Sequence, residues 1–205
     1  MTEQKTQRKR NPRGQGERLR DDIIASASRL LADPTSPPLT LRAVAREVGV
    51  AATSVYLHFD DIDSLVFTVA DSHFGELVRM QEEARDKADT PYDQVLAMSM
   101  AYCEFGLANP GLYQVMFANP LPLPEPATAD QMPGRAAFQA RRDAVAAYLG
   151  GGESSIPEAF RITLLIWQQL HGTVSLRISR PQFPWPPLEA TVTDAVNRLL
   201  AVTPP

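Results

Sequence analysis

The chain contains a single cysteine, Cys103, among its 205 residues. A disulfide within the chain is therefore excluded, which suits a protein of the reducing cytosol. No run of apolar residues approaches the length of a membrane span, and the basic N-terminus is not followed by the apolar segment of a secretory signal. We therefore expect a cytoplasmic protein with no membrane association.

Histidine is also scarce. The three histidines, His58, His73 and His171, lack the accompanying residues, at the right spacing, that a metal site requires. The sequence has no Gly-rich phosphate loop, no nucleophile elbow and no His-Glu-x-x-His pattern. These absences argue against an enzyme, a bound metal and a cofactor. An all-helical carrier of, or enzyme for, a hydrophobic ligand stays open as an alternative.

The net charge of −4 is distributed unevenly along the chain. Residues 1–58 carry ten Lys and Arg against six Asp and Glu, giving +4, and the remainder carries ten against eighteen, giving −8. This asymmetry indicates that any nucleic acid is bound by the N-terminal part. Residues 1–16 form a predicted disordered basic arm. Its cations are Lys5, Arg8, Lys9, Arg10 and Arg13.

Two short helical patterns meet at Gly49 within residues 40–59. Thr40 is placed to cap the first helix through its hydroxyl, and Gly49 ends that helix because glycine readily enters the left-handed region. Ala52 to Phe59 form the second predicted helix. Small residues at positions 45 and 49 let the two helices cross closely, which is typical of a helix-turn-helix. An ordinary αα-hairpin is the alternative.

Residues 16–70 resemble the N-terminal DNA-binding domain of TetR/AcrR-family transcriptional regulators. The matching residues are Thr40, Leu41, Val44-Ala45, Gly49-Val50, Val55-Tyr56 and His58-Phe59, with Leu65 beyond. A shorter stretch, Trp167-Gln-Gln-Leu-His171-Gly172, is similar to the Trp/His-Gly signature of one class of TetR C-terminal domain. The resemblance implies an all-α protein in which a three-helix helix-turn-helix domain, residues 17–70, is linked by a long helix to a helical bundle. That bundle, residues 71–205, would bind an effector and form the dimer.

Four residues are predicted to hold the DNA backbone. Thr40 offers a hydroxyl at a helix N-terminus, and Arg42 adds a positive charge close by. The resemblance assigns Tyr56 and His58 to the same task. The alternative for Tyr56 and His58 is half-buried packing against the first helix, and Phe59 is expected in the core.

Base contacts are predicted at Ala52 and Thr53, which begin the second helix of the motif, with Leu57 near its far end. An alanine or threonine methyl can contact the thymine methyl, and a threonine hydroxyl can bond to several bases. This chemistry predicts modest direct readout, with the arm and DNA shape contributing the rest.

Two positions depart from the family pattern. Ala51 stands where relatives often carry a serine that caps the recognition helix, a loss of about 1 kcal/mol of local helix stability. Ile62 stands where a lysine often meets a phosphate, and its neighbours Asp61 and Asp63 would repel DNA if they faced it. Binding should then depend more strongly on the arm.

Apolar periodicity predicts seven further helices, at residues 17–32, 60 or 61 to about 87, 92–107, 112–117, 131–149, 157–179 and 188–202. Residues 119–126, with four prolines, are predicted to be an extended connection. The helix at 157–179 is apolar nearly all round, so it needs cover on most sides, and a second copy of the chain would supply part of it.

The C-terminal bundle contains aromatic, thioether and imidazole groups suited to a small-molecule pocket. The candidates are Met98, Tyr102, Phe105, Met116, Phe117, Trp167 and His171. For each of them, plain core packing is the alternative. Taken with the resemblance, these features predict a homodimeric repressor that leaves a near-palindromic operator when a small hydrophobic effector binds. A helix-turn-helix used only for protein contacts is a further alternative.

Removal of residues 1–13 is expected to weaken DNA binding and to flatten its dependence on salt, because fewer phosphates would be neutralised and fewer counterions released. Fluorescence anisotropy at several salt concentrations measures both effects. An unchanged slope of log affinity against log salt would show that the arm makes no contribution.

Overall fold

The computed structural model describes residues 15–33, 35–117 and 133–201, which form α-helices and no strand. The all-α prediction is confirmed. In chain order the helices are α1 Gln15–Ala32, α2 Leu41–Val48, α3 Ala52–Val55, α4 Ile62–Arg85, α5 Pro91–Ala108, α6 Pro110–Phe117, α7 Arg135–Tyr148, α8 Ile156–Ser179 and α9 Leu188–Ala201. The predicted basic arm up to residue 14 and the predicted connection at 119–126 lie outside the described residues.

The chain divides into two compact units, residues 1–69 and 70–205, and the division falls within α4. In the first unit, α1 packs on α2 and α2 packs on α3. Each of its helices contributes fully or nearly fully buried side chains to the interior, including Ile23, Ala27, Leu41, Val44, Ala45, Val55, Phe59, Leu65 and Val69. The expected burial of Phe59 is confirmed.

The two ends of α2 are fixed by local hydrogen bonds. Thr40 caps the N-terminus, where its Oγ1 accepts from the backbone N–H of Ala43 at 3.1 Å. Gly49 follows the C-terminus in the left-handed conformation, with φ of 79°. The N–H of Gly49 donates to the carbonyl of Arg46, and that of Val50 donates to the carbonyl of Ala45. This pair of bonds is a Schellman motif, which turns the chain sharply toward α3.

The second helix of the motif is shorter than predicted. An α-helix was expected from Ala52 to Phe59, but α3 ends at Val55 and residues 56–58 form a turn. Ala51 makes no side-chain cap, and Thr53 and Val55 are β-branched, so a segment this brief gains little from helix propagation. The N–H of Phe59 still donates to the carbonyl of Val55 at 3.0 Å.

α4 begins at Ile62 because Asp61 caps it. One carboxylate oxygen of Asp61 accepts from the backbone N–H of Ser64 at 2.7 Å, and the Ser64 hydroxyl donates back to the Asp61 carbonyl. The carboxylate also lies at the positive end of the helix dipole, where it is favourable.

The second unit is a bundle in which α5 and α8 each pack against several of the other helices. α5 packs on α6, α7, α8 and α9, and α8 packs on α7 and α9. α5 begins at a Thr90 cap followed by proline in the first turn, and α7 ends before three consecutive glycines at residues 150–152, all with positive φ. α8 keeps one side in the core, whereas Phe160 and Leu176 are each 51% exposed.

A glycine pair tests the turn after α2. Gly49→Ala is expected to lower the free energy of unfolding by about 1–2 kcal/mol, because alanine disfavours the left-handed conformation. Gly75→Ala, in the middle of α4, is expected to raise it by about 0.5–1 kcal/mol. Neither added Cβ meets another atom within 4 Å, so backbone conformation alone separates the two. Urea unfolding followed by circular dichroism measures both; equal effects would contradict the assigned role of Gly49.

Candidate DNA-binding surface and ligand cavity

Four of the six predicted DNA-contacting side chains are exposed on the first unit: Thr40, Arg42, Thr53 and Tyr56. Tyr56 is 49% exposed, which leaves its hydroxyl and ring edge accessible. The Thr40 oxygen is an acceptor in the cap of α2, so its hydroxyl hydrogen is still available to a phosphate oxygen. These positions fit backbone contacts at the start of α2 and base contacts at the start of α3.

Ala52 and His58 are half-buried rather than exposed. His58 lies beside the beginning of α1, since a Cβ added to Gly16 would be 4.0 Å from the Cε1 atom of its ring. The placement of His58 therefore matches the packing alternative as closely as the backbone-contact prediction.

Thr40, Arg42 and Tyr56 line one shallow cleft of about 420 Å³. The same cleft contains Asp60 and Asp61. The Asp61 carboxylate is engaged in capping α4, and acidic and basic side chains lie side by side in this cleft. Phosphates would be attracted mainly to the Arg42 side of the cleft.

Arg46 is a cation that the sequence prediction missed. It is exposed and lies four residues after Arg42 on α2, so the two guanidinium groups share a helix face. Neither arginine forms an ion pair among the described residues. The i, i+4 spacing of two arginines beside the turn was the signal that could have found it.

The second unit contains a cavity of about 340 Å³, at the small end of the roughly 300–1,000 Å³ typical of small-molecule pockets. Its wall is mainly aromatic and aliphatic, and polar groups come from two arginines and one tyrosine. The lining residues are Phe74, Leu77, Tyr102, Phe117, Pro133, Gly134, Arg135, Ala137, Phe138, Arg141, Phe160, Leu164 and Trp167.

The seven predicted ligand-contacting residues fall into three groups. Tyr102, Phe117 and Trp167 line the cavity. The remaining four lie outside its lining: Met98, Phe105 and Met116 are buried in the core, and His171 is half-buried. The residues missed include those from α4 and α7, because periodicity places an aromatic residue on a buried face without distinguishing a core from a cavity wall.

Ring contacts gather around Phe117 at the end of α6. Its ring centroid lies 4.7 Å from that of Tyr113, 5.2 Å from that of Phe74 and 5.1 Å from that of His171. Trp167 is more distant, at 6.5 Å. Edge and tilted geometries of this kind are favourable for aromatic pairs. Phe117 therefore connects the aromatic rings that line the cavity with those of Tyr113 and His171, which lie behind the lining.

A chain of hydrogen bonds leads from the cavity wall to α8. The hydroxyl of Tyr102 bonds to that of Tyr113 at 2.8 Å, and the Tyr113 hydroxyl bonds to Nδ1 of His171 at 2.8 Å. The opposite ring nitrogen of His171 lies 3.4 Å from the Ser175 hydroxyl. Burial raises the pKa of Tyr102 to about 12 and also raises the pKa of Tyr113, so both phenols stay protonated. Burial lowers the pKa of His171.

Arg141 is a charged group in the cavity wall that is nevertheless buried, since only 2% of the residue is exposed. Nη2 donates to Oε1 of Gln81 at 2.6 Å and to the carbonyl of Met98 at 3.4 Å. The guanidinium carbon lies 5.3 Å from the centre of the Tyr102 ring. Burial lowers the pKa of Arg141 to about 10, which still leaves it charged at neutral pH. No carboxylate pairs with it among the described residues.

Cys103 is fully buried, and burial raises the pKa of its thiol to about 12. The thiolate needed for oxidation or metal binding is therefore disfavoured. Across residues 15–33, 35–117 and 133–201, no three or more His, Cys, Asp or Glu side chains are grouped to hold a metal ion. In the same ranges no helix has the length and apolar character to cross a bilayer.

Two family models match the chain. One describes the tetR family of bacterial regulatory proteins and matches residues 23–69; the other describes a tetracyclin repressor-like C-terminal domain and matches residues 95–202. Among solved structures, a protein of unknown function from Rhodococcus sp. RHA1 is 28% identical with a TM-score of 0.74, and the match covers 94% of this chain and 98% of that one.

Two further solved structures share the fold at lower identity. A TetR-family transcriptional regulator from Haemophilus influenzae is 22% identical with a TM-score of 0.63, covering 90% of this chain and 98% of its own. The transcriptional regulator FadR from Bacillus subtilis, in complex with stearoyl-CoA, is 15% identical with a TM-score of 0.63, covering 88% of this chain and 97% of its own.

The lowered pKa of His171 predicts a pH dependence of stability. A folded-state pKa below the unfolded value means that the folded chain binds this proton less readily. The stabilising contribution is therefore complete above the unfolded pKa, about 6.5, and is lost as the pH falls through that value toward the lowered folded pKa.

Wild type should accordingly lose more stability than His171→Gln between pH 8 and pH 5. The excess is bounded by the roughly 1.4 kcal/mol per pH unit of a single proton, and it is smaller here because the ring is partly exposed. Urea unfolding at each pH gives both curves. A difference between wild type and variant that does not vary with pH would contradict the assignment.

Proposed function

Because the chain belongs to the TetR family of bacterial regulatory proteins, we propose that it represses transcription and leaves its operator when a small hydrophobic ligand enters the cavity lined by Tyr102, Phe117 and Trp167. It is a DNA-binding transcriptional regulator. The helix-turn-helix is the DNA-binding element, and the second unit is the sensor. Its site of action is the cytoplasm, where bacterial DNA lies.

The observation that carries the proposal is the course of α4. The helix runs unbroken from Ile62 to Arg85. Its first half buries Leu65 and Val69 in the first unit, and its second half supplies Phe74 and Leu77 to the cavity wall. A ligand that displaces Phe74 or Leu77 therefore acts on the same helix that ends the DNA-binding unit.

Such a ligand would act through a population shift. It changes the equilibrium only if it binds the conformer with weak operator affinity more tightly than the conformer with strong affinity. The stearoyl-CoA bound to FadR from Bacillus subtilis has a long apolar acyl chain, which supports a ligand with an apolar body for this chain.

A homodimer is part of the proposal. α8 exposes Leu176, and a shallow groove between α8 and α9 is lined by apolar groups such as Leu165, Ala195 and Leu199 together with polar ones. Symmetric pairing of α8 and α9 between two chains would cover this surface as a four-helix interface. Two copies would also present two recognition helices to successive major grooves.

Selection from a random duplex library tests the function. The expected product is a near-palindrome with half-sites roughly one helical turn apart, bound by two chains as measured by native mass spectrometry. No enrichment of any duplex would favour a helix-turn-helix used for protein contacts or a ligand carrier instead.

Variants of the selected complex test the individual residues. Arg42→Ala is expected to weaken binding to all sequences and to reduce the salt slope by about one, as for one lost phosphate contact. Thr53→Val is expected to alter base preference with a smaller effect on the slope. Arg79→Ala, which removes an exposed cation from the second half of α4, is the matched control; a loss equal to that of Arg42→Ala would trace the effect to net charge alone.

A further inference from the structure

We propose that the cavity takes an apolar molecule ending in a carboxylate, and that Arg141 binds the carboxylate. The inference rests on the proposed function, because it names the chemical class of the ligand that the sensor unit recognises. It is carried by the position of one buried charge in an otherwise apolar wall.

Within residues 15–33, 35–117 and 133–201, no acid compensates the charge of Arg141. The side chain is 2% exposed, and no Asp or Glu among the described residues lies within ion-pair distance of it. The acceptors that it has, the Gln81 side chain and the Met98 carbonyl, are neutral. A buried cation without an anion is unfavourable. A ligand anion bound next to Arg141 would therefore stabilise the guanidinium.

The Arg141 guanidinium also has N–H groups that make no hydrogen bond within the described residues. Both hydrogen bonds that it makes within the described residues leave from Nη2, while Nε is buried without a partner there. A guanidinium carries five N–H groups in a planar fork that matches the two oxygens of a carboxylate. Gln81 and the Tyr102 ring hold this fork in place, so little ordering is needed when a ligand binds.

The rest of the wall defines the body of the ligand. Phe74, Phe138, Phe160, Leu164 and Trp167 are apolar and line the cavity together with Arg141. Tyr102 stays a neutral phenol, so it does not repel an anion. One buried cation balances the single charge of one carboxylate, and its planar fork matches the two carboxylate oxygens.

Arg135 is the other cation of the lining. It is partly exposed and already has interaction partners. Its charge therefore gains less from a ligand anion than the charge of Arg141 does. It also provides the matched control, since an arginine at the cavity can be removed without touching the buried charge.

Isothermal titration calorimetry with named probes tests the inference. Octanoate, decanoate and dodecanoate supply the carboxylate, and methyl decanoate and decanol supply the same chain without the charge. Wild type is expected to bind decanoate more tightly than methyl decanoate. Arg141→Met should weaken decanoate binding about tenfold to a hundredfold, as expected for a lost charged hydrogen-bonding partner, and leave methyl decanoate unchanged or tighter. Arg135→Met should keep the wild-type preference.

Several results would overturn the inference. These are absence of carboxylate binding to wild type, equal affinity for decanoate and its methyl ester, or loss of the preference in Arg135→Met instead of Arg141→Met. Binding of decanoyl-CoA without binding of decanoate would assign the cavity to a thioester. The comparison of probes on wild type decides the matter even if Arg141→Met does not fold, which circular dichroism would reveal.

The result is separable from the proposed function. If the chain holds its selected duplex and is released by a neutral apolar compound but not by decanoate, only the carboxylate assignment is wrong. If it holds no duplex at all, the regulator proposal is wrong whatever the calorimetry shows.

Discussion

The continuity of α4 is the constraint on which the other features depend. The helix Ile62–Arg85 continues without a break across the point where the chain divides into two units. The N-terminal half is fixed by the Asp61 cap and by buried Leu65 and Val69, and the C-terminal half forms part of a cavity wall. The proposed regulation by a ligand relies on this helix, because its residues take part in both units.

The DNA-binding unit shows how few interactions specify a local fold. A threonine cap and a left-handed glycine set both ends of α2, and α3 needs only four residues because the turn before it fixes its direction. Exposed Arg42, Thr53 and Tyr56 lie around this turn. The mixed charge of the cleft, with Asp60 and Asp61 close to Arg42, limits the attraction of phosphates here. Arg46 is a further cation that is exposed on the same helix.

The second unit combines a well-packed core with one buried charged group that is energetically unfavourable, Arg141. Met98, Phe105 and Met116 fill the interior, and the Tyr102–Tyr113–His171 bonds satisfy polar atoms behind the cavity wall. Arg141 differs because its hydrogen bonds do not balance its charge. Such a residue lowers the stability of the ligand-free protein, and a bound anion would recover that loss.

The sequence by itself determined the helix-turn-helix, the all-α fold and most helix ends, because caps, glycine turns and 3.6-residue periodicity act over a few residues. It misplaced the end of α3, where intrinsic helix propensity was too weak to outlast the turn. Only the tertiary structure decided that Tyr102, Phe117 and Trp167 line a cavity while Met98 and Phe105 fill the core, since both groups show the same apolar periodicity. It also decided that Arg141 is buried with no acid beside it in the part of the chain that the structure describes. The sequence places charges along a helix but does not show which side chains from distant helices will meet them.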